Sequence, residues 1–286
     1  MSQMSVVEFF REFPDDDVCL EHLMKIRYGL TLKCPKCEVR STFHRVKKRK
    51  TYECQCGHQI SPMAGTPFER SSTSLQKWFY AVYLFTTSRH GVPAKELERQ
   101  LSVTYKTAWR MGHEIRKYMG KIDGTPTLSG HVEVDETYIG GKDGEMGRPN
   151  PKTTRKTAIL GMVERQGKLQ AQVVPDTRRD TLLPLIQQAV EKGTTISTDE
   201  LNTYKKLTTL GYQHGYVRHN LDQWKKGPHH TNTIENFWGR LKVSIRGTHI
   251  HVSKKHMPKY VAEFSYRYNM RGVRASSMFD CLLASF

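Results

Sequence analysis

Two groups of side chains in this sequence have the types and spacing for chemistry. The first is Cys34-Pro-Lys-Cys37, followed after 16 residues by Cys54-Gln-Cys56. Thiolates suit Zn²⁺, a borderline-soft ion that accepts tetrahedral sulfur. Two such pairs on facing hairpin turns would staple a module too small to bury its own core. The second pair is one residue shorter than the usual C-x2-C, so two ligand sets fit. Either all four cysteines bind, or His58 replaces one member of the close pair Cys54/Cys56.

The second group is acidic. Val132-Glu133-Val134-Asp135-Glu136-Thr137 sets Asp135 inside a strand otherwise suited to burial, and Ile196-Ser197-Thr198-Asp199-Glu200 repeats the design. A charge in such a strand costs stability unless it is paired or bound to a cation. If the two strands are sheet neighbours, Asp135 and Asp199 face each other across one metal site. The third carboxylate is Glu235, within the segment from His229 to Trp238. On a helix, Asn232, Glu235, Gly239 and Lys242 share one face, while Ile234, Phe237, Leu241 and Ile245 share another. Carboxylates from two strands and a helix are what a two-metal Mg²⁺ site requires. Such ions, roughly 3.5–4 Å apart, activate the attacking oxygen and stabilise the leaving one.

These groups need elements to hold them. Residues 5–13 and 15–30 read as short helices, the second with acidic residues in its first turn and Gly29 near its end. Residues 33–62, rich in Cys, Gly and Lys, read as a small β-ribbon whose basic tip offers Arg45, Lys47 and Lys48 to phosphates. Residues 75–88 form a helix apolar enough to be buried throughout. Helices at 93–101 and 104–119, joined by a tight turn, suggest a helix-turn-helix. The start of its second helix would present Lys106, Thr107 and Arg110 to base edges, with Trp109 packing or stacking. Residues 121–130 are the candidate linker.

Beyond the linker, strands are expected at 132–139, 157–164, 168–175, 195–198 and 215–218, and helices at 179–192, around 204–210, at 231–246 and at 254–271. Residues 140–156 read as a basic loop. The fold class is therefore α/β: a mixed sheet flanked by helices, preceded by a small zinc ribbon and a helix-turn-helix. The expected domains are 1–30 (helices), 31–70 (zinc ribbon), 71–121 (helix-turn-helix region) and 128–286 (catalytic).

Charge sets the class of partner. Lys and Arg number 45 against 28 Asp and Glu, a net +17, which favours a polyanion, most often nucleic acid. The longest apolar run, residues 78–85, falls far short of the roughly 20 residues a membrane span needs. The start of the chain has no secretory pattern. The reading is a soluble, cytoplasmic, nucleoid-associated protein with no membrane partner.

With these residues in place the chain resembles the DDE transposases of the IS1595 group, which carry an ISXO2-like transposase domain. The likeness rests on Cys34-Pro-Lys-Cys37, Gly65-Thr-Pro-Phe68, Tyr105-Lys-Thr-Ala-Trp109, Val134-Asp-Glu-Thr137 and His230-Thr-Asn-Thr-Ile-Glu-Asn-Phe-Trp238, in that order. It implies an RNase H-like fold, Mg²⁺-dependent cleavage at transposon ends (with Mn²⁺ as a substitute) and joining of the freed 3′-OH to target DNA. It also implies Asp135, Asp199 and Glu235 as the catalytic and Mg²⁺-binding set, with 35 residues between the last two. Lys242 matches the basic position that follows the acidic residue, and Asn232 competes with Glu235 because some members use Asn there. Double-stranded DNA, at element ends and target, is the implied partner, bound by a homodimer or larger assembly. Two rivals remain: a structure-selective nuclease that cuts without joining, and a domesticated zinc-ribbon/helix-turn-helix regulator that binds without cutting.

Overall fold

The computed structural model of the chain describes residues 4–47, 49–140 and 156–286. Lys48 and the predicted basic loop, apart from its end residues, lie outside the described residues. Two compact units result: Met1–Ser88 with Val92–Tyr118 and Val273–Phe286, and Arg89–Gly91 with Met119–Gly272.

In the first unit, helix α1 (Val6–Glu12) starts at a capping box between Ser5 and Glu8. Helix α2 (Asp16–Arg27) starts where the Asp15 carboxylate accepts from the Asp17 and Val18 amides. Strands β1 (Thr31–Lys33) and β2 (Arg40–Thr42) pair antiparallel, as do β3 (His44–Arg45), β4 (Tyr52–Glu53) and β5 (Gln59–Ile60) in a three-stranded sheet. These short hairpins are the expected ribbon. Helix α3 (Leu75–Thr87) buries Trp78, Phe79, Ala81, Val82 and Phe85 completely, as its unbroken apolar run requires. Helices α4 (Ala94–Leu101) and α5 (Tyr105–Asp123) follow across a turn in which Ser102 is left-handed, at φ 48° and ψ 55°. Helix α5 outruns its predicted end and takes the first residues of the predicted linker.

The last helix, α9 (Ala275–Ser285), belongs to this first unit rather than to the predicted catalytic domain that ran to residue 286. The Phe279 ring stands 5.5 Å from that of Phe13 and 5.7 Å from that of Phe79. An apolar stripe declares that a helix is amphipathic but not which core it joins.

The second unit is built on a five-stranded sheet of order β10–β9–β6–β7–β8. Strands β6 (His131–Ile139), β7 (Thr157–Glu164) and β8 (Leu169–Val174) form an antiparallel meander. Strand β9 (Thr195–Thr198) lies parallel to β6, and β10 (Gln213–Tyr216) parallel to β9. Strand β10 begins two residues before the predicted span, and the helix expected around 204–210 is two 3₁₀ turns, Asn202–Lys206 and Thr208–Leu210.

Alternation along β6 sorts the two faces. Val132 and Val134 join a core with α6 (Arg179–Ala189) and Tyr204. On the other face, Ile139, Ile159 and Val163 join one with α7 (Asn232–Ser244) and α8 (Met257–Asn269). The sheet is therefore mixed and flanked by helices on both sides, as expected.

Gly161 on β7 is directly opposite Asp135 and lets α7 approach. A Cβ at this position would stand 2.5 Å from two atoms of the Trp238 indole and 2.8 Å from Ile234 Cδ1. Gly161→Ala should therefore overpack this layer and destabilise the protein by about 1–3 kcal/mol. Denaturant titration with near-ultraviolet dichroism checks this; an unchanged midpoint and tryptophan signal would refute it.

Candidate active site and metal centre

The ribbon's turns bring its four thiols together. Cys34 and Cys37 occupy the turn after β1, and Cys54 and Cys56 the turn between β4 and β5. Cys34 Sγ and Cys56 Sγ are 3.6 Å apart and Cys37 Sγ and Cys54 Sγ 3.8 Å, with all four sulfurs within 4.8 Å of one another. Sulfurs each about 2.3 Å from one tetrahedral ion would stand about 3.8 Å apart, so the quartet fits Zn²⁺. The Cys56 backbone N–H and the Ser41 hydroxyl, 3.1 Å from Cys54 Sγ, hold the Cys54 thiol down to about 6. His58 is not a member of this group; its carbonyl accepts from the Cys54 amide at 2.9 Å. The choice between the two predicted ligand sets falls on the four cysteines.

The acidic site is assembled from the sheet and α7. Strand β6 pairs Glu133 with Ser197 of β9, each two residues before one of the acids Asp135 and Asp199. The Trp238 indole N–H donates to Asp135 Oδ2 at 2.9 Å. Burial pushes the Asp135 carboxyl up to about 8, and the neighbouring Glu136 and Asp199 charges push the same way. Lys242 is half-buried; burial lowers its ammonium while Asp135 opposes that shift, so the two side chains feel each other. On α7, Glu235, Trp238 and Lys242 are three and four residues apart and share a face. Glu235 Oε1 accepts from the Thr231 hydroxyl at 2.6 Å, and Asn232 stands exposed at the first residue of the helix. Among the described residues, the cysteine quartet is the only group of three or more potential ligands gathered closely enough to hold one ion. Asp199 bears on Asp135 and Glu235 lies on the helix that bonds Asp135, but the three do not close on a common ion.

A different carboxylate does the positioning. Glu133 is fully buried, and its oxygens accept from the Thr233 amide at 2.7 Å, the Ile234 amide at 3.2 Å and the Thr233 hydroxyl at 2.9 Å. Arg165 Nε completes the pairing at 2.8 Å and sends its other nitrogens to the Pro228 and His230 carbonyls. The first turn of α7 is thereby tied to β6, two residues from Asp135. Sequence reasoning passed over Glu133 and assigned Trp238 no role. Both had a signal: Glu133 alternates onto the same strand face as Asp135, and Trp238 lies on the helix face between Glu235 and Lys242.

The residues expected to touch DNA are placed unequally. Lys106 is exposed on the first turn of α5, and Thr107 bonds Thr104 through their hydroxyls at 3.0 Å. The Arg110 guanidinium lies 5.6 Å from the Trp78 ring centroid, and the Trp109 ring lies 3.9 Å from that of His113, tilted by 32°. Lys47 is exposed, whereas Arg45 is engaged by Asp17 Oδ1 at 2.9 Å and the Val46 carbonyl at 2.8 Å. Among the described residues no helix is long and apolar enough to cross a membrane.

Known proteins match this sequence. Residues 127–269, half of the chain, match the ISXO2-like transposase domain, and residues 14–59 match the transposase zinc-ribbon domain. The chain belongs to the ISXO2-like transposase family. It is 27% identical over 269 residues to an uncharacterized protein in transposable element ISH50 of Halobacterium salinarum, covering 86% of this chain and 88% of that one. An uncharacterized transposase-like protein of Haemophilus influenzae is 26% identical over 108 residues, 38% of this chain and 86% of its own. The Mos1 strand transfer complex aligns over 70% of this chain and 77% of that chain at 11% identity and a TM-score of 0.23, too low to bear on the fold.

Two outcomes are expected. Chelation, or Cys37→Ser, should release about one zinc per chain and unfold the ribbon, because a structural site contributes its binding energy to folding. Metal analysis with hydrogen exchange over residues 31–60 reads this; retained protection without zinc would count against the site. The second concerns pH. A carboxyl raised from about 4 to about 8 keeps a proton that the unfolded chain has shed, so its contribution to stability falls as pH climbs through that window. In metal-free buffer the Tm of Asp135→Asn should overtake that of the native chain by a few degrees near pH 8. Parallel Tm curves from pH 5 to 8 would show that Asp135 is not raised.

Proposed function

We propose that this transposase is an RNase H-like DDE enzyme that binds the terminal inverted repeats of its element, cleaves the DNA ends and joins the 3′-OH to target DNA. The observation that carries the reading is Asp135 on β6, which feels the charge of Asp199 just past the end of β9 and is hydrogen-bonded by α7, the helix that bears Glu235. The sheet supports it, with an antiparallel meander on one side of β6 and parallel strands on the other. The donor set supports it too. A half-buried carboxyl pressed by two like charges is relieved by a hard cation, and oxygen ligands suit Mg²⁺ or Mn²⁺.

Asp135, Asp199 and Glu235 would hold the ions. Bound there, a pair of divalent ions would activate the attacking oxygen and stabilise the leaving one. Trp238 fixes the Asp135 carboxylate in one orientation. Lys242, desolvated and within the field of Asp135, would hold a phosphate of the scissile strand. The α4–α5 pair would grip the repeat as a helix-turn-helix through Lys106, Thr107 and Arg110, with Lys47 adding a phosphate contact. Arg45 has less to offer DNA because Asp17 already engages it. Two DNA ends would be bridged by a homodimer or larger assembly, acting in the cytoplasm on the nucleoid.

The test uses end-labelled DNA flanking the gene, purified protein and Mg²⁺. Native protein should nick at one defined position and then yield joined products. Asp135→Ala, Asp199→Ala and Glu235→Ala should each lose at least about 10²–10³-fold in rate, the scale of removing one charge-stabilising group, with end binding unchanged. Lys242→Ala should be milder, and Asn232→Ala should stay active if Glu235 is the third ligand. Cutting without joining would indicate a structure-selective nuclease, and specific binding without cutting a domesticated regulator; either result overturns the proposal.

A further inference from the structure

A cavity of about 180 Å³ lies wholly within the second unit, where the last turn of α5 meets β8 and α8. Gly120 and Ala262 are on its wall, so close that a Cβ on Gly120 would stand 2.9 Å from the Ala262 Cβ, and neither has the bulk to fill the space. Two polar groups of the lining are left unmet. The Ser265 side chain is 3% exposed, and its hydroxyl has no hydrogen-bond partner among the described residues. A buried hydroxyl in that state is costly, and folded proteins keep few of them. Asp123 Oδ1 accepts from the Asn269 side-chain amide at 2.8 Å, while its Oδ2 has no hydrogen bond among the described residues. Burial raises this carboxyl above its usual range, against the Asn269 amide and the Lys168 charge.

The rest of the lining sets the sign of the occupant. Gln170 gives its Nε2–H to the Pro126 carbonyl, which leaves its Oε1 to accept. In a chain of net charge +17, no basic side chain lines this cavity among the described residues. Lys168 is outside the lining, with its Nζ 3.3 Å from the Asn269 carbonyl. Acceptors without a cation ask for a positively charged donor. A divalent metal needs several charged oxygens, and the cavity has one carboxylate. A guanidinium matches a carboxylate through two parallel bonds, and Asn269 already takes one Asp123 oxygen. An ammonium is a point charge with three donors, which suits one carboxylate oxygen, one hydroxyl and one amide oxygen. A cavity of about 150 Å³ holds a molecule the size of benzene, so this one has room for an alkyl chain behind the ammonium.

We propose that this cavity binds an alkylammonium, as carried by a short aliphatic diamine, with Asp123 as its counter-ion and the Ser265 hydroxyl and Gln170 amide oxygen as the other acceptors. The methylenes would lie along the small side chains of the wall. A protein that works on DNA meets such cations in the counterion layer that it displaces on binding. The site itself rests on its own lining and not on the transposase reading, so the two can fail separately.

The experiment titrates putrescine into the full-length, zinc-loaded, DNA-free protein at constant ionic strength, read by calorimetry and by hydrogen exchange over residues 119–126. Butanediol, of the same length without the charge, is the control. Native protein should bind putrescine with a Kd of about 1 mM or tighter and gain protection in that segment, and it should ignore the diol. Asp123→Asn can keep the bond from Asn269 while losing the charge, and should bind at least about 10-fold more weakly. Ser265→Ala should lose about 10-fold as well, and it keeps the test open should Asp123→Asn fail to fold. Absence of saturable binding to native protein would overturn the site, as would equal binding of the diol or undiminished affinity in both variants. A lysine of a second copy would offer the same ammonium. Self-association that Asp123→Asn abolishes on size exclusion, with no putrescine bound by native protein, would assign the cavity to that lysine and overturn the free amine.

Discussion

The arrangement of the second unit depends on one buried carboxylate. Glu133 has no access to water, and a carboxylate so placed is costly unless its lone pairs are met. Here they are met by the first-turn amides of α7, by the Thr233 hydroxyl and by Arg165, with His230 Nδ1 3.1 Å away. The positive end of the helix and the guanidinium supply both charge and donors. Helix α7 therefore cannot slide along or turn on the sheet without leaving that charge uncompensated. Gly161 opens the space into which Trp238 then falls, and the Trp238 indole reaches Asp135 as a consequence.

Two acids on the same face of β6, two residues apart, thus have opposite electrostatic situations. Glu133 is surrounded by donors and serves structure. Asp135 has one indole donor and faces like charge from Glu136 and Asp199, and burial pushes it up to about 8. Perturbed carboxyls gather at functional sites, and the proposed metal-holding role of Asp135 accords with that. The zinc ribbon has the contrary logic. Its thiols come from two tight turns close in sequence, so the metal can order the module with little help from the rest of the chain.

This contrast explains what could be read early. The quartet of cysteines was legible because C-x2-C and C-x-C within a short ribbon leave few alternatives, although only the folded turns excluded His58. The helix after Asp15 was legible from the acids of its first turn and Gly29 near its end, and the strands of the meander from their β-branched runs. Residues 204–210 were not, because a polar, lysine-rich stretch can turn as 3₁₀ as readily as α. The C-terminal α9 was misassigned to the catalytic half, since joining the Phe13 and Phe79 cluster is a contact across almost the whole chain.

By itself the sequence determined the residue types and the local frame: four thiols, one acid inside a strand and another at the end of a second, and an amphipathic helix bearing Glu235, Trp238 and Lys242 on one face. These follow from spacing, charge and periodicity, which act over a few residues. Tertiary structure alone decided that β6 and β9 are parallel neighbours, so that the Asp199 charge bears on Asp135. It alone made Glu133 an anchor instead of a ligand, and turned Trp238 toward Asp135. Those outcomes depend on groups 64 to 103 residues apart meeting in a largely buried layer, where an unmet charge is too costly to leave and no local pattern records which partner will meet it.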